Sequence, residues 1–185
     1  MSVLPVIEIF KEPISIERAL MYANKKILAE DYALYQHSLN VAGICYSACV
    51  EMGLDERLGF VSGILHDIGK LVWLNEPLCY SFMEHPQLSY GVLKDIELDV
   101  AVIAYMHHSY QVNNYPEICE IDVPDRLVPY CQMLSFADKI EANMTRSHRT
   151  ADEAIETMSK LYDFIPEVVE SVSNVVRKKS KYRVT

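Results

Sequence analysis

The stretch GILHDIGKLVW, residues 63–73, sets a histidine and an aspartate at the end of an apolar run and follows them with a glycine and a lysine. Leu58, Val61 and Leu65 recur at helical spacing ahead of the pair, so the run reads as the buried face of an α-helix. Asp55 supplies the N-cap and Gly69 interrupts the pattern, which sets His66 and Asp67 at the C-terminal end of that helix. A carboxylate buried there without a partner costs several kcal/mol. Asp67 therefore calls for a compensating cation or a set of donors.

Upstream, Asp31 caps a segment whose apolar positions Leu34, Val41, Ile44 and Ala48 share one face, and Gly53 closes it. His37 lies on this segment and, taken alone, reads as a hydrogen-bonded core residue. Downstream, helices are expected over roughly 82–94, 98–108, 124–146, 151–161 and 166–178. Pro124 and Pro166 suit first-turn positions, and Thr150 with Glu153 forms a capping box. With a further helix near the N-terminus, the chain reads as all-α, a bundle of about seven or eight helices without an alternating strand pattern. Two irregular segments stand out. One is SYQVNNYPEICEIDV, residues 109–123; the other is the basic end RKKSKYR, residues 177–183, which reads as a solvated, frayed tail.

A chain of 185 residues, half of them apolar, suits a single domain, with a core over roughly residues 31–160 and the N-terminal helix, C-terminal helix and basic tail appended. It has no apolar run of membrane-spanning length, and its start, MSVLPVIEIFKEP, lacks the pattern of a signal peptide, so a cytoplasmic location without membrane association is expected. The five cysteines, Cys45, Cys49, Cys79, Cys119 and Cys131, are an odd number with no CxxC, as for reduced thiols packed as small hydrophobes. A formal net charge of −9 argues against a nucleic-acid polymer as partner. A small anionic substrate would need a local basic patch.

Asp138 repeats the difficulty of Asp67, because it sits among Met133, Leu134, Phe136, Ala137 and Ile140 where the helical stripe predicts burial. Two such aspartates and inward-facing histidines on separate helices are explained together if they converge on metal ions.

The order of His37, the His66-Asp67 doublet and Asp138 resembles the HD superfamily of metal-dependent phosphohydrolases, all-helical proteins named for that doublet. HDIGK is followed by EHPQLSYGVL, YMHHSYQVNNYP and ADKIEANMTRSHRTADEAI, an order and spacing similar to the HD-GYP branch, which hydrolyses cyclic di-GMP. The likeness spans roughly residues 31–158. It implies two divalent ions: one held by His37, His66, Asp67 and Asp138, the other sharing Asp67 and adding His85, His107 and His108. The adjacent His107 and His108 can both reach an ion only if their helix ends there, since neighbouring helical residues point about 100° apart. Imidazole and carboxylate ligands suit Fe, Mn, Ni or Zn, and a hydroxide pinned between two ions is a nucleophile for phosphorus at neutral pH. Lys70 would neutralise phosphate and transition-state charge. Arg146 and Arg149 match two phosphate-gripping residues of the branch, one position closer to Asp138.

The chain departs from the branch in other places too, and its loop from His107 is one residue shorter. Asn114-Tyr115-Pro116 replaces Gly-Tyr-Pro, and Ala33 stands where some members carry a glutamate for a third metal. The resemblance implies a phosphodiesterase for cyclic di-GMP or a related signalling nucleotide. A nucleoside monophosphate phosphatase and a non-catalytic nucleotide-binding or scaffolding module are the alternatives. Because the helical core uses nearly all of the length, sensory input is expected from a signalling-protein partner or from the substrate itself.

Overall fold

Asp31 and Asp55 both act as N-caps: Asp31 accepts from the backbone N–H of Leu34 at 2.9 Å, and Asp55 accepts from Arg57 at 2.9 Å and Leu58 at 3.2 Å. The helices they open are α2 (Tyr32–Met52) and α3 (Glu56–Leu65), which follow α1 (Ile16–Glu30). The computed structural model describes residues 15–75, 82–109, 121–161 and 163–181. After α3 come α4 (Gly69–Asn75), α5 (His85–Leu93), α6 (Leu98–Met106), α7 (Val128–Arg146), α8 (Ala151–Leu161) and α9 (Pro166–Lys181). Short 3-10 turns at Phe82–Glu84 and Asp125–Leu127 precede α5 and α7. The fold is all-α, and no strand occurs among the described residues.

The long, apolar α2 packs against α1, α3, α7 and α9, while α6 is flanked by α3, α5 and α7. Two apolar clusters result. One joins Val41, Ile103, Phe136, Ile140 and Val172, and the other joins Leu34, Ile64, Leu65, Leu88 and Leu93. Each such side chain contributes roughly 1.5–3 kcal/mol through burial, and α2 and α6 belong to both clusters. Gly63 lets α3 lie directly on Ala42 of α2: a Cβ there would meet the Ala42 nitrogen at 2.8 Å. That close crossing brings the end of α3 beside the face of α2 that carries His37.

Four local features differ from the sequence reading. Gly69 does not simply interrupt a helix; residues 66–68 form a turn and Gly69 opens α4, a helix the periodicity leaves out. Pro124 precedes a 3-10 turn, and it is Pro129 that occupies the first turn of α7. The helix expected from residue 82 begins as a 3-10 turn and becomes α-helical at His85. The basic end is no frayed tail up to Lys181. There α9 continues, its own Val172, Val175 and Val176 buried against the bundle, with exposed ion pairs from Arg177 to Asp152 at 2.8 Å and Lys178 to Glu51 at 2.5 Å. Burial holds this helix more than the pairs, since exposed pairs are worth little.

The Thr150–Glu153 capping box forms, with Thr150 N–H donating to Glu153 at 2.8 Å and Glu153 N–H donating to Thr150 Oγ1 at 3.3 Å. Asn114, Tyr115 and Pro116 lie outside the described residues, as do Cys79, Cys119 and the end of the basic segment beyond Lys181. No described helix is long and apolar enough to cross a membrane.

Candidate metal centre

Five helices deliver one polar cluster into this apolar interior. His37 projects from the middle of α2, and His66 and Asp67 occupy the turn that ends α3. His85 begins α5, His107 and His108 fill the turn that ends α6, and Asp138 lies in α7. All seven are buried, with His66, Asp67 and His107 fully so. Although α6 stops at Met106, His107 keeps right-handed helical dihedrals in the turn that follows, and the two neighbouring imidazoles still converge, their ring centroids 4.0 Å apart.

Asp67 stands at the centre and presents its two oxygens to different groups. Oδ2 lies 3.7 Å from His37 Nε2 and 3.3 Å from His66 Nε2, and those imidazoles lie 3.1 Å and 4.0 Å from Asp138 Oδ1. Oδ1 lies 3.3 Å from His85 Nε2 and 3.7 Å from His107 Nε2. His85 Nε2 is in turn 3.2 Å from His107 Nε2 and 3.1 Å from His108 Nε2. Donor atoms of His37, His66 and Asp138, and of His85, His107 and His108, lie within 4.8 Å of one another in each trio, close enough to hold a metal ion. The structure thus brings together His37, His66, Asp67, His85, His107, His108 and Asp138.

The opposite ring nitrogens are occupied. His66 Nδ1 donates to Gly63 O at 2.8 Å and His107 Nδ1 to Ala104 O at 2.5 Å, which leaves each Nε2 as a bare lone pair facing the cluster. His37 Nδ1 faces the Glu141 carboxylate at 2.5 Å. His66 Nε2 and Asp67 Oδ1 are buried without a hydrogen-bond partner, while His37 Nε2 faces the Asp138 carboxylate at 3.1 Å. Orphaned buried acceptors of this kind are costly, and a divalent cation satisfies them together. The donor set therefore fits a divalent ion. It holds no thiolate: Cys45, Cys49 and Cys131 are buried in the apolar core, and burial pushes Cys49 up to about 12.

Charges within the cluster are set by their neighbours. Burial works against ionisation of Asp67 and Asp138, yet His66 and Lys70 beside Asp67, and Lys139 and His37 beside Asp138, hold both carboxyls well below the usual range. Burial opposes charge on His37 too, but the flanking Asp138 and Glu141 carboxylates outweigh it and raise the imidazole to about 9. Burial, and then Lys139, pushes His108 down to about 2, so it stays neutral.

Lys70 packs its ammonium on Asp67 Oδ2. Sequence reasoning missed two residues of α7. Lys139 donates to Asp138 Oδ2 at 2.6 Å and to His108 Nδ1 at 2.8 Å, and Glu141 buttresses His37. The signal was present in ADKIEA, since positions 138 and 141 share a helix face one turn apart, but an ionic residue beside a ligand reads as solvated unless the packing is known. Arg146 and Arg149 are not brought to the cluster: both are exposed, and Arg149 donates to Thr157 at 2.9 Å.

The model of the HD domain family matches residues 34–143 of this chain. Ribonuclease Y of Sulfurovum sp. (strain NBC37-1) is 27% identical over 150 residues, a match that covers 76% of this chain and 24% of that protein. The chain thus spans about a quarter of the curated relative it matches. Among solved structures, the HD domain of the L. monocytogenes phosphodiesterase PgpH in complex with cyclic-di-AMP is similar, with a TM-score of 0.65 and 17% identity over 88% of this chain and 97% of that one. A second structure of that domain gives a TM-score of 0.64 at 18% identity, covering 88% of this chain and 99% of that one. At such identities the likeness is one of fold.

Proposed function

The chain belongs to the HD domain family, and from that premise we propose that it is a metal-dependent phosphodiesterase acting on a cyclic dinucleotide. One observation carries the reading: Asp67 directs its two oxygens to two separate groups of imidazoles, the arrangement of a carboxylate shared by two cations. In this reading His37, His66 and Asp138 hold one divalent ion with Asp67, and His85, His107 and His108 hold the other. When bound, the ions supply Lewis acidity at the phosphoryl oxygens and lower the pKa of a water enough for in-line attack at neutral pH. Fe, Mn, Ni and Zn all suit this donor set.

The residues around the ions bind and neutralise substrate. Lys70 sits on Asp67 at the partly exposed edge of the cluster, placed to offset charge on a non-bridging oxygen as the transition state develops. Lys139 has a conditional role. If His108 gives its Nε2 lone pair to an ion, its proton resides on Nδ1, where Lys139 now donates. Lys139 then loses that acceptor and its ammonium turns to the anionic substrate. Two such cations supply the local positive charge that a chain of net charge −9 needs to receive a dinucleotide.

Resemblance to the HD-GYP branch favours cyclic di-GMP, whereas the structurally similar PgpH domain was captured with cyclic-di-AMP. The chemistry common to both is a 3′,5′-phosphodiester in a purine ring dimer. The test is a panel assayed with Mn²⁺ and with anaerobic Fe²⁺: both cyclic dinucleotides, their linear dinucleotides, nucleoside monophosphates and a short RNA. Turnover of a cyclic dinucleotide at the highest kcat/KM is expected. Brisk release of phosphate from a monophosphate with no cleavage of any diester would replace the phosphodiesterase with a phosphomonoesterase. Binding without turnover under every metal would mark a non-catalytic module.

A further inference from the structure

We propose that Glu141 is a positioning residue whose carboxylate fixes the tautomer of His37 and so makes Nε2 its metal-directed atom, an inference that rests on His37 holding an ion. His66 and His107 each sit at a helix end and can use a carbonyl three residues back to keep Nδ1 protonated. His37 lies inside α2, where the preceding carbonyls serve the helix. It needs an acceptor from elsewhere in the chain. Glu141 Oε2 supplies it at 2.5 Å, from a residue 104 positions later and one helical turn beyond Asp138. The imidazole is clasped between two carboxylates of α7, Glu141 on Nδ1 and Asp138 3.1 Å from Nε2.

The other oxygen of Glu141 is equally committed. Asn40 Nδ2 donates to Oε1 at 2.9 Å and Thr145 Oγ1 donates to the same atom at 2.8 Å. Glu141 is 5% exposed, so these bonds are not traded freely with water. Two donors on Oε1 and one on Oε2 define a site that only a two-oxygen acceptor fills.

This predicts an unusual outcome for the near-isosteric Glu141→Gln. The amide would set its carbonyl toward Asn40 and Thr145, which both donate, and turn its NH₂ toward His37 Nδ1. Nδ1 must then accept, the ring proton moves to Nε2, and an N–H points where the lone pair is needed. Asn40→Asp in the same background reverses this. The carboxylate introduced by that second substitution would accept from the amide, and the amide carbonyl would turn back to His37.

The experiment uses the full chain and two readouts that do not depend on turnover. Mn²⁺ titration should show Glu141→Gln weakening one of two sites by 10- to 100-fold, with Asn40→Asp alone weakening the same site because it sets two buried carboxylates against each other, and with most of the loss recovered when the two are combined in Asn40→Asp/Glu141→Gln. Nitrogen-15 NMR of the metal-free protein across an alkaline pH series, read where the His37 ring is neutral, should show the Nδ1–H tautomer in wild type and Nε2–H in Glu141→Gln. An unchanged tautomer in Glu141→Gln, or lost Mn²⁺ affinity with no rescue by the second substitution, would overturn the proposal. If wild type bound no Mn²⁺, the metal reading would fail while the tautomer exchange still decided the role of Glu141.

Discussion

Asp67 and Lys70 touch each other yet do different work, and substitution separates them. Asp67 is fully buried and reaches four imidazoles through two oxygens, whereas the Lys70 ammonium pairs with Oδ2 from the partly exposed side of the cluster. Asp67→Ala should therefore lose both Mn²⁺ equivalents and all turnover, because the anion that the two groups share is gone. Lys70→Ala should keep both equivalents and lower kcat/KM by a factor on the order of 10². Elemental analysis paired with steady-state kinetics of the two variants distinguishes the roles. Two ions retained by Asp67→Ala would end the shared-carboxylate assignment, and unchanged kinetics in Lys70→Ala would reduce that residue to a counter-ion of Asp67.

At the scale of elements, the join between α3, α4 and α5 sets the second group of histidines. Gly69 N–H donates to Ser89 Oγ at 2.9 Å, and Ser89 Oγ donates to His66 O at 2.7 Å, so the turn carrying the doublet is tied to α5. A Cβ on Gly69 would collide with the carbonyl oxygen of His85 and meet Ser89 N at 2.6 Å and Leu88 Cβ at 2.8 Å. Gly69→Ala must push the two helices apart, at a cost of about 1–3 kcal/mol for overpacking, and His85 heads the displaced helix. Urea unfolding should show the lower midpoint, and Mn²⁺ titration should show weakening at the His85 group before the His37 group. A midpoint equal to wild type would mean that the contact relaxes without cost. The sequence made much of this scale legible, because Asp31, Asp55 and Thr150 mark helix starts through local chemistry and Gly53 marks an end. It left α4 hidden, since a helix of seven residues that opens on a glycine carries too little periodicity to register. It also left Lys139 and Glu141 hidden, because the partners that give them a role, His108 and His37, come from the turn after α6 and from α2, and without them the shared face in ADKIEA reads as solvated charge.

For the whole molecule, the cluster is a junction: α2, α7, the turns after α3 and α6, and the start of α5 all meet in it. Without a cation, the orphaned His66 Nε2 and the ionised Asp67 and Asp138 remain packed in the core, and they weaken the native state at the point where its helices converge. An ion that binds only the folded chain stabilises it by about 2.7 kcal/mol at one hundred times its Kd. For a chain of this length that corresponds to a rise in Tm on the order of 5–10 °C. The size of the rise should depend on pH through His37. Its flanking carboxylates hold the imidazole at about 9, so below that pH a proton competes with the ion for Nε2. Loading must displace that proton, and the Tm difference between Mn²⁺-loaded and EDTA-treated protein should widen as pH rises from about 7 through about 9, and level off only above that, where His37 is neutral unaided. Calorimetric scans of both forms across this range measure it directly. A difference that narrowed as pH rose would show that the ion is not competing with the His37 proton and would remove that residue from the metal site.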